Sequence, residues 1–486
     1  MDSSLIPLMV VLPMASAVLL NMLHGRDRAV RYLTLAVGLV FLALPLAVSY
    51  GYHHFGGYVR DASFSRLAVG IIYGFQAHQR LLAFTLVLVA YLAAVSYLGS
   101  AGKLSGVYLG FLMLGLGTCT AVVLTDDIFN LYVFLEITLI SQTALVIASG
   151  TEEAYKAAVK YLIVANVCGN MLLLGIALLL SAVGSLNVTD IQGYIAAAGG
   201  AFLRSPVLLT ACALMLVSFS YVSGLFPFHN IKAEMYARAM PHAAAVMQTQ
   251  TKFILLGLGI ILLRLFPNVG GFRPLMLYTS MAAMVFGVIM ALKQDNYQHM
   301  LSYHAISQAG YVAAGISIGT TAAVMGAIFH AVNNALYKSA LLIGSECVKH
   351  QAKTTDFKGL GGLIQPLPAL AALVLVSKLA ISGVPPFNGF QSKLLLMTAA
   401  FNAGLPEVTV VMILVSVLTF ISMMKAFHLV FMRPPQAEAV LAETALPRTY
   451  LMALAILAGL CLLLGLCPQI VLVYAREIAL QVGVAQ

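Results

Sequence analysis

Five lysines and one acidic residue fall well inside the apolar stretches of this sequence. They are Lys252, Lys338, Lys378, Lys393, Lys425 and Glu136. An ionisable group at membrane depth costs roughly 3 kcal/mol or more unless it is paired or hydrated, and therefore indicates a function by default. Burial disfavours the charged forms of lysine and glutamate alike, so both can exchange protons near neutral pH. Lys425, beside a polar loop, could simply extend its ammonium to the surface. Five lysines together with a buried acid nevertheless favour a proton path.

A polar stripe follows from the spacing of three side chains. His330, Asn334 and Lys338 are four residues apart, which places them on one face of a helix. Such a stripe could relay protons through intervening water, with His304 as a further titratable group nearby. The alternative is a hydrogen-bonded stripe that only holds helices together. Because Lys338 can titrate, and hydrogen bonding alone does not need that, the relay is favoured.

The composition places these residues in a membrane. Of 486 residues, 61% are apolar and only 9% are charged, whereas about a quarter of a soluble domain is charged. This excludes a soluble globular protein, and the high hydrophobicity excludes disorder. The net charge of +9 rests on 26 Lys and Arg that form no basic stripe, so nucleic acid is not an expected partner. None of the six cysteines forms a C-x-x-C pair, so neither a metal site nor a redox cofactor is expected in this chain.

Fourteen apolar stretches are long enough to cross a hydrocarbon core about 30 Å thick, which takes roughly 20 helical residues. The predicted spans are residues 5–23, 32–51, 82–100, 104–124, 128–149, 159–184, 205–228, 241–266, 274–292, 300–318, 321–347, 366–400, 406–431 and 449–472. The first has an acidic N-terminus and no cleavage pattern, which favours a span over a removable signal. The predicted fold class is an all-α polytopic membrane protein, with residues 1–486 forming one transmembrane domain.

The loop charges predict an orientation. Fourteen of the 26 Lys and Arg lie in or beside loops after odd-numbered spans, and seven in or beside loops after even-numbered spans or in the tail. Cytoplasmic loops carry the excess of basic residues. Both termini are therefore predicted to face the outside of the cell.

Two predicted spans contain a helix breaker at a matching position. The pattern G-x-x-P-F occurs at residues 224–228 and again at 383–387, 159 residues later, with breaks predicted at Pro227 and at Pro385 and Pro386. Proline removes a backbone donor and clashes with the preceding turn. Discontinuous helices at corresponding positions of two halves are typical of ion and substrate sites in transporters. The alternative is a pair of ordinary proline kinks, which the flanking Lys378 and Lys393 make less favoured.

At these residues the chain resembles the antiporter-like subunits shared by respiratory complex I, Mrp-type sodium/proton antiporters and membrane-bound energy-converting hydrogenases. The matching stretches are Thr125–Glu136, Pro227–His229, Tyr303–Tyr311, Phe329–Ser339 and Pro385–Lys393. The resemblance implies fourteen helices with two inverted five-helix repeats, at residues 104–266 (helices 4–8) and 274–431 (helices 9–13), and discontinuous helices 7 and 12. It also implies proton transfer along a central hydrated axis.

The resemblance assigns roles residue by residue. Glu136 matches the glutamate of the fifth helix, Lys252 the lysine of the eighth, and Lys393 the charged residue of the broken twelfth. His330 and Lys338 match positions on the eleventh helix. These residues, with Lys378, are the expected proton-translocation site, and none is expected to be catalytic or to bind a metal. His229, His304 and Asn334 are possible accessory groups.

One departure concerns the seventh helix. The family usually has a lysine seven residues before the histidine of the P-[LF]-H motif, but here that position is Val222. Three explanations compete: Lys232 curls back from beyond the break, Lys156 or Lys160 substitutes, or this half of the channel is altered or silent. Lys378, which adds a charge before the second break, complicates the choice, and the sequence leaves all three open.

The expected function is therefore a proton-translocating, possibly sodium/proton-translocating, subunit of a redox-driven membrane complex in a prokaryotic plasma membrane. Its expected partners are other antiporter-like and small hydrophobic subunits and a hydrophilic redox module, whose iron-sulfur or nickel-iron centres would lie outside this chain. The alternatives are an Mrp-type antiporter subunit without a redox partner and a structural scaffold with a silent channel.

Overall fold

A computed structural model describes residues 5–59, 67–100, 104–267, 269–434 and 446–482. These parts form eighteen α-helices and one β-hairpin. The helices are α1 (Leu8–Met22), α2 (Asp27–Ala47), α3 (Ala77–Ser100), α4 (Gly106–Leu124), α5 (Ile128–Ile147), α6 (Glu152–Val183), α7 (Val188–Leu203), α8 (Pro206–Ser223), α9 (His229–Arg238), α10 (Pro241–Leu265), α11 (Phe272–Leu292), α12 (Tyr297–Ile318), α13 (Thr321–Ala352), α14 (Pro368–Ser382), α15 (Asn388–Asn402), α16 (Pro406–Phe427), α17 (Arg448–Leu466) and α18 (Gln469–Val482).

Each of the fourteen predicted stretches overlaps one or two of these helices. Within the described ranges, ten helices are both long and apolar enough to cross a membrane. Among the helices formed by the remaining predicted stretches, α1 and α14 are too short to be counted with these ten, and α12 and α13 are too polar. A mostly helical, multi-span membrane protein is thereby established.

The all-helical prediction needs one correction. Residues Gly51–Val59 (β1) and Leu67–Phe75 (β2) form an antiparallel hairpin, with Gly51 opposite Phe75 and Val59 opposite Leu67. Glycine and aromatic residues dominate β1; glycine weakens helices, and aromatic side chains favour strands. The sequence prediction also placed no helix at α7 or α9, which lie outside the apolar stretches that it selected, and its last stretch includes only the first four residues of α18.

The chain leaves the helical conformation at both G-x-x-P-F motifs. Helix α8 ends at Ser223 and α9 begins at His229, and α14 ends at Ser382 before α15 begins at Asn388. Both helices end at a glycine with positive φ, which is 70° at Gly224 and 81° at Gly383. Only glycine adopts this conformation without strain, and it closes the last helical turn.

Helices α10 and α13 lie at the centre of the molecule. Of the most apolar window of α10, 94% is buried, against 39% for the peripheral α6, and almost every residue from Ala323 to Val348 of α13 is buried. Because the surrounding helices shield these two from lipid, α10 and α13 can carry polar side chains at membrane depth. Most of the candidate site is built on them and on their neighbours.

Candidate functional site

Glu136 lies on α5 and faces α6. Its Oε1 is buried and has no hydrogen-bond partner among the described residues. A Cβ atom placed on Gly169 of α6 would lie 2.0 Å from that oxygen. The missing side chain at Gly169 therefore creates the space that the carboxyl group occupies.

Lys232 occupies a buried position next to the first helix break. It lies on α9, is 1% exposed, and donates hydrogen bonds to Tyr161 Oη at 2.9 Å and to Gln142 Oε1 at 3.4 Å. Tyr161 in turn donates to Gln142 Oε1 at 3.1 Å, and Tyr221 donates to the backbone oxygen of Tyr161 at 2.8 Å. Lys232 thus extends back from beyond the break into a hydrogen-bonded network of buried side chains.

Lys156 and Lys160 lie at the surface. Lys156 pairs with Glu152 at 2.5 Å and Lys160 with Glu234 at 3.3 Å, and both lysine side chains are more than 60% exposed. Of the three explanations for Val222, the geometry favours Lys232, because neither surface lysine reaches the buried network.

The central lysine, Lys252, is fully buried on α10 and its Nζ has no hydrogen-bond partner within the described parts of the chain. One turn earlier, Gln248 donates to Ser339 Oγ of α13 at 3.4 Å and leaves its own Oε1 unpaired. Gln142 donates to Gln250 Oε1 at 2.9 Å, which joins α5 to α10. Lys252 therefore lies between the Lys232 network and α13.

The predicted stripe on α13 is buried along its whole length, but its members bind different partners. The two ring nitrogens of His330 lie 3.0 Å from Ser392 Oγ and 3.1 Å from Gln308 Oε1. Lys338 donates to the backbone oxygen of Leu301. Asn334, between them, has neither amide atom paired with a described residue.

A second buried histidine links α12 to α16. His304 Nε2 lies 2.8 Å from Ser422 Oγ. On α14, Lys378 donates to the backbone oxygen of Met423 at 3.4 Å, and its ammonium lies 4.5 Å from the ring centre of Tyr297.

Lys393 fills the second helix break. Its Nζ donates to the backbone oxygens of Ile381 at 2.9 Å and Ser382 at 3.3 Å and lies 5.2 Å from the ring centre of Tyr311. These two carbonyls belong to the last turn of α14, which has no continuing helix to satisfy them. Lys393 therefore binds the oxygens that the break exposes.

Electrostatic interactions join these side chains into one series. Glu136 interacts with Tyr161 and Tyr221, and Lys232 interacts with Lys252. Further along, Lys338 interacts with Lys252 and Lys378. The last pairings are those of His330 with Lys252 and Lys393, and of His304 with Lys338, Lys378 and Lys393. A change of charge at one of these lysines or histidines therefore alters the electrostatic potential at its neighbours, while Glu136 is connected to Lys232 through Tyr161.

Two sequence candidates lie outside this series. His229 forms a cluster of three rings with Phe226 and Phe286, whose centres lie 5.6 and 5.9 Å from its own. Lys425 is exposed and donates to the backbone oxygen of Leu292 at 3.2 Å, which fits the interpretation of a side chain that extends to the surface.

Sequence reasoning missed the uncharged members of the network: Gln142, Tyr161, Tyr221, Gln250, Gln308, Ser392 and Ser422. Their signal was present, since an amide or hydroxyl inside an apolar span is costly unless it is hydrogen-bonded. Gln308 follows His304 by one helical turn, and Ser392 immediately precedes Lys393. A search restricted to ionisable residues cannot find them.

A cavity of 330 Å³ opens beside the C-terminal ends of α4 and α10. At its rim, Arg264 pairs with Asp126 at 2.8 Å and donates to Thr189 Oγ1 at 3.0 Å. The lining extends inward along α10 to Gly257, about 8 Å along the helix axis from Lys252. No group of three or more His, Cys, Asp or Glu side chains suited to a metal occurs among the residues with described positions.

The sequence of the chain matches a known family. The family model described as NADH:quinone oxidoreductase/Mrp antiporter, TM, matches residues 125–422, and this chain belongs to that family. It is an antiporter-like membrane subunit.

Two relatives illustrate the range of the family. A protein of Methanocaldococcus jannaschii described as uncharacterized, MJ1309, is 41% identical over 484 residues, which cover 99% of this chain and 98% of the relative. An Na(+)/H(+) antiporter subunit of Alkalihalophilus pseudofirmus is 32% identical over 343 residues, 69% of each chain.

Solved structures share the fold over nearly the whole length. A chain of the Mrp complex from Dietzia sp. superposes with a TM-score of 0.88 at 21% identity, covering 99% of this chain and 97% of the other. A chain of the membrane-bound sulfane sulfur reductase, an archaeal respiratory membrane complex, gives 0.86 at 23% identity, covering 99% and 98%. At these identities the likeness establishes the architecture alone.

Proposed function

We propose that this chain is the proton-translocating subunit of a redox-driven, multisubunit membrane complex in a prokaryotic plasma membrane. The observation that carries the proposal is the series of buried, mutually interacting ionisable side chains that runs from Glu136 through Lys232, Lys252 and Lys338 to Lys393. Burying so many lysines without an acidic partner is costly, and the stabilisation of a helix end, which Lys393 provides, does not require the others.

The mechanism follows from the coupling between neighbours. When one lysine gains a proton, its charge lowers the affinity of the adjacent lysine for a second proton, because Coulomb interactions are strong where water is scarce. A proton entering at one end therefore favours release further along. Glu136, Lys232 and Lys252 serve the first half, and His330, Lys338, Lys378 and Lys393 serve the second half, with His304 and Asn334 as accessory groups.

Lys232 takes the role of the lysine that the family usually carries at the position of Val222. Its support is the hydrogen bond to Tyr161, which also interacts with Glu136. Lys156 and Lys160 are not assigned to the path, because both form exposed ion pairs.

The membrane arrangement belongs to the same proposal. Fourteen spans, two inverted five-helix repeats at 104–266 and 274–431, and both termini outside the cell remain our working topology. Cytoplasmic or external reactivity of a reporter fused to the C-terminus tests the orientation, and a cytoplasmic C-terminus would overturn it.

The complex that copurifies with this chain in mild detergent supplies the decisive experiment. Its iron and nickel content comes first: nickel with iron indicates a hydrogenase-type driving reaction, iron alone a quinone- or ferredoxin-linked one, and neither metal directs the assay to a sodium gradient. The complex is then reconstituted in liposomes containing a pH-sensitive dye. Glu136→Gln, which keeps the shape and removes the titratable group, is expected to reduce proton movement strongly while leaving assembly intact. Full movement by that variant would refute the assignment of Glu136.

Sodium/proton antiport without a redox partner is the second candidate. The 32% identity to the Na(+)/H(+) antiporter subunit of Alkalihalophilus pseudofirmus favours it. An intact complex without iron or nickel that exchanges sodium for protons would establish it. An intact complex that moves protons under neither driving force would instead favour the scaffold.

A further inference from the structure

A cluster of buried aromatic and titratable side chains surrounds the N-terminal end of α10, and the series described above does not include it. At its centre His242 is 2% exposed. The ring of His242 stacks on Tyr450 of α17 with centres 5.6 Å apart and meets Tyr97 of α3 edge-on at 6.1 Å. Neither ring nitrogen of His242 has a hydrogen-bond partner in the described structure, and the same holds for the hydroxyl of the buried Tyr108 on α4.

Charged residues near the C-terminal end of α13 connect this cluster to the surface. Glu346 is only partly buried and interacts electrostatically with Tyr108. Lys349 is exposed and interacts with His242. The groups around His242 are Tyr97, Tyr108, Glu346, Lys349, His350 and Tyr450, with Asp27 of α2 behind Tyr97.

Further polar groups continue inward from His242 between α10 and α13. On α10, Thr249 and Lys252 follow His242 by seven and ten residues, which keeps all three on one face. On α13, Ser339 lies seven residues before Glu346 and accepts a hydrogen bond from Gln248 at 3.4 Å. The distance along α10 from His242 to Lys252 is about 15 Å.

Several polar atoms along this line are buried without a described partner. They are both ring nitrogens of His242, Gln248 Oε1, Lys252 Nζ and both amide atoms of Asn334. Buried polar groups in folded proteins are almost always hydrogen-bonded, and ordered water supplies the bonds that protein groups do not. Consecutive orphaned atoms along one helix interface therefore point to a column of water.

We propose that His242 is the first group of a separate proton input, which runs through water between α10 and α13 to Lys252 and Lys338. This input rests on the proposed translocation function and loads the central lysines independently of Glu136. Because the two loading steps are coupled through Lys232 and Lys252, full translocation requires both. A proton reaches His242 from the side of Glu346 and binds one ring nitrogen, and the imidazolium then releases its other proton to the water beyond. The histidine is regenerated as the opposite tautomer, and a flip of its ring restores the starting tautomer.

Radiolytic labelling tests the water column without changing the protein. A short X-ray pulse on the intact complex generates hydroxyl radicals from bound water, and mass spectrometry locates the oxidised side chains. His242 and Tyr108 are expected to be oxidised at least tenfold faster than Phe219 of α8, which is 0% exposed and serves as the dry control. Equal, background-level oxidation of all three would overturn the water column.

Substitution of the histidine tests the input itself. His242→Phe preserves an aromatic ring against Tyr450 but cannot carry a proton, and it is expected to slow translocation at least tenfold. The matched control is His78→Phe, a buried histidine at the other end of the molecule, which is expected to keep the rate. In His242→Ala, added imidazole is expected to restore part of the lost rate, which a purely structural role would not produce.

The outcomes separate this input from the proposed function. If the unmodified complex moves no protons, the proposed function fails. The labelling still shows whether water lies beside His242 and Tyr108. If Glu136→Gln stops translocation while His242→Phe keeps the full rate, the input at His242 is refuted and the function stands. If His242→Phe does not assemble, labelling of the unmodified complex decides alone, and a dry His242 refutes the proposal.

Discussion

The two helix breaks share a backbone and differ in what their lysines bind. Gly224 and Gly383 close their helices with the same pair of backbone hydrogen bonds, from the glycine and from the next residue. Beside each glycine lies the stem of a lysine from the following half-helix, Lys232 in the first break and Lys393 in the second. Lys232, however, donates to a tyrosine and a glutamine side chain, whereas Lys393 donates to two backbone carbonyls.

This difference distinguishes two roles of a buried lysine, which are proton transfer and the stabilisation of a helix end. Gln142 and Tyr161 remain bonded to each other without Lys232, so the first lysine is available for charge transfer. Lys393 also stabilises the end of α14, because Ile381 and Ser382 would otherwise expose carbonyls at membrane depth. We expect the first break to be functionally sensitive and structurally tolerant, and the second to be sensitive in both respects.

The largest effect is expected from Lys232→Met. Removing the charge while keeping the length of the stem should lower proton translocation about hundredfold, the usual contribution of a positioned proton-transfer group. Dye-based measurement in liposomes reports the rate, and Lys160→Met is the matched control. A Lys232→Met complex that pumps at the normal rate would return the choice to the remaining explanations for Val222.

The stability of Lys393→Met should distinguish the second break from the first. Two backbone carbonyls lose their partner, which costs about 1–3 kcal/mol, while Lys232→Met should cost less because its partners stay bonded. The midpoints of thermal unfolding of the two variants in detergent, measured side by side, report the difference. Equal midpoints would show that the two lysines contribute alike to stability.

A smaller and symmetric effect is expected at the two glycines. Gly224→Ala and Gly383→Ala each force a side chain into the left-handed region, at about 1–2 kcal/mol. Each new Cβ would also lie 3.0–3.1 Å from a lysine side chain, Lys232 or Lys393. The unfolding midpoint should fall by similar amounts in both variants, and Gly404→Ala, which has positive φ but open space around it, isolates the backbone contribution.

The smallest effect is expected at the surface pair of Lys160 and Glu234. An exposed ion pair contributes about 0–1 kcal/mol, so Lys160→Ala should leave both the unfolding midpoint and the translocation rate nearly unchanged. A loss of translocation comparable to that of Lys232→Met would show that Lys160 takes part in the path.

The sequence predicted the long helices well because their apolar stretches match the thickness of a bilayer. It also selected Lys252, Lys338, Lys378 and Lys393, which the structure buries, and Glu136, which it buries in part, because charge inside an apolar stretch is conspicuous. It could not choose between Lys232 and Lys156 or Lys160, since only the fold shows which of these side chains is turned inward. The sequence did not predict the β-hairpin, because residues 51–75 are too polar and too rich in glycine to be selected as a membrane span.

The uncharged partners of the lysines and histidines can be identified only from the three-dimensional structure. Gln142 and Tyr161 belong to different helices, and their spacing in the sequence does not indicate that both bind Lys232. The same applies to His330, whose partners Gln308 and Ser392 come from α12 and α15. The predicted stripe on α13 has the right face, but His330 and Lys338 bind to α12 and α15 and not to each other.

The second break also bears on how the chain is made. Helices α14 and α15 have 15 residues each, about 22 Å, and neither crosses a hydrocarbon core of about 30 Å alone. A nascent α14 that left the translocon before α15 would bring the carbonyls of Ile381 and Ser382 into lipid without Lys393 to bind them. Residues 368–402 should therefore be released into the bilayer as one unit, and only after α12 and α13 have arrived to receive them.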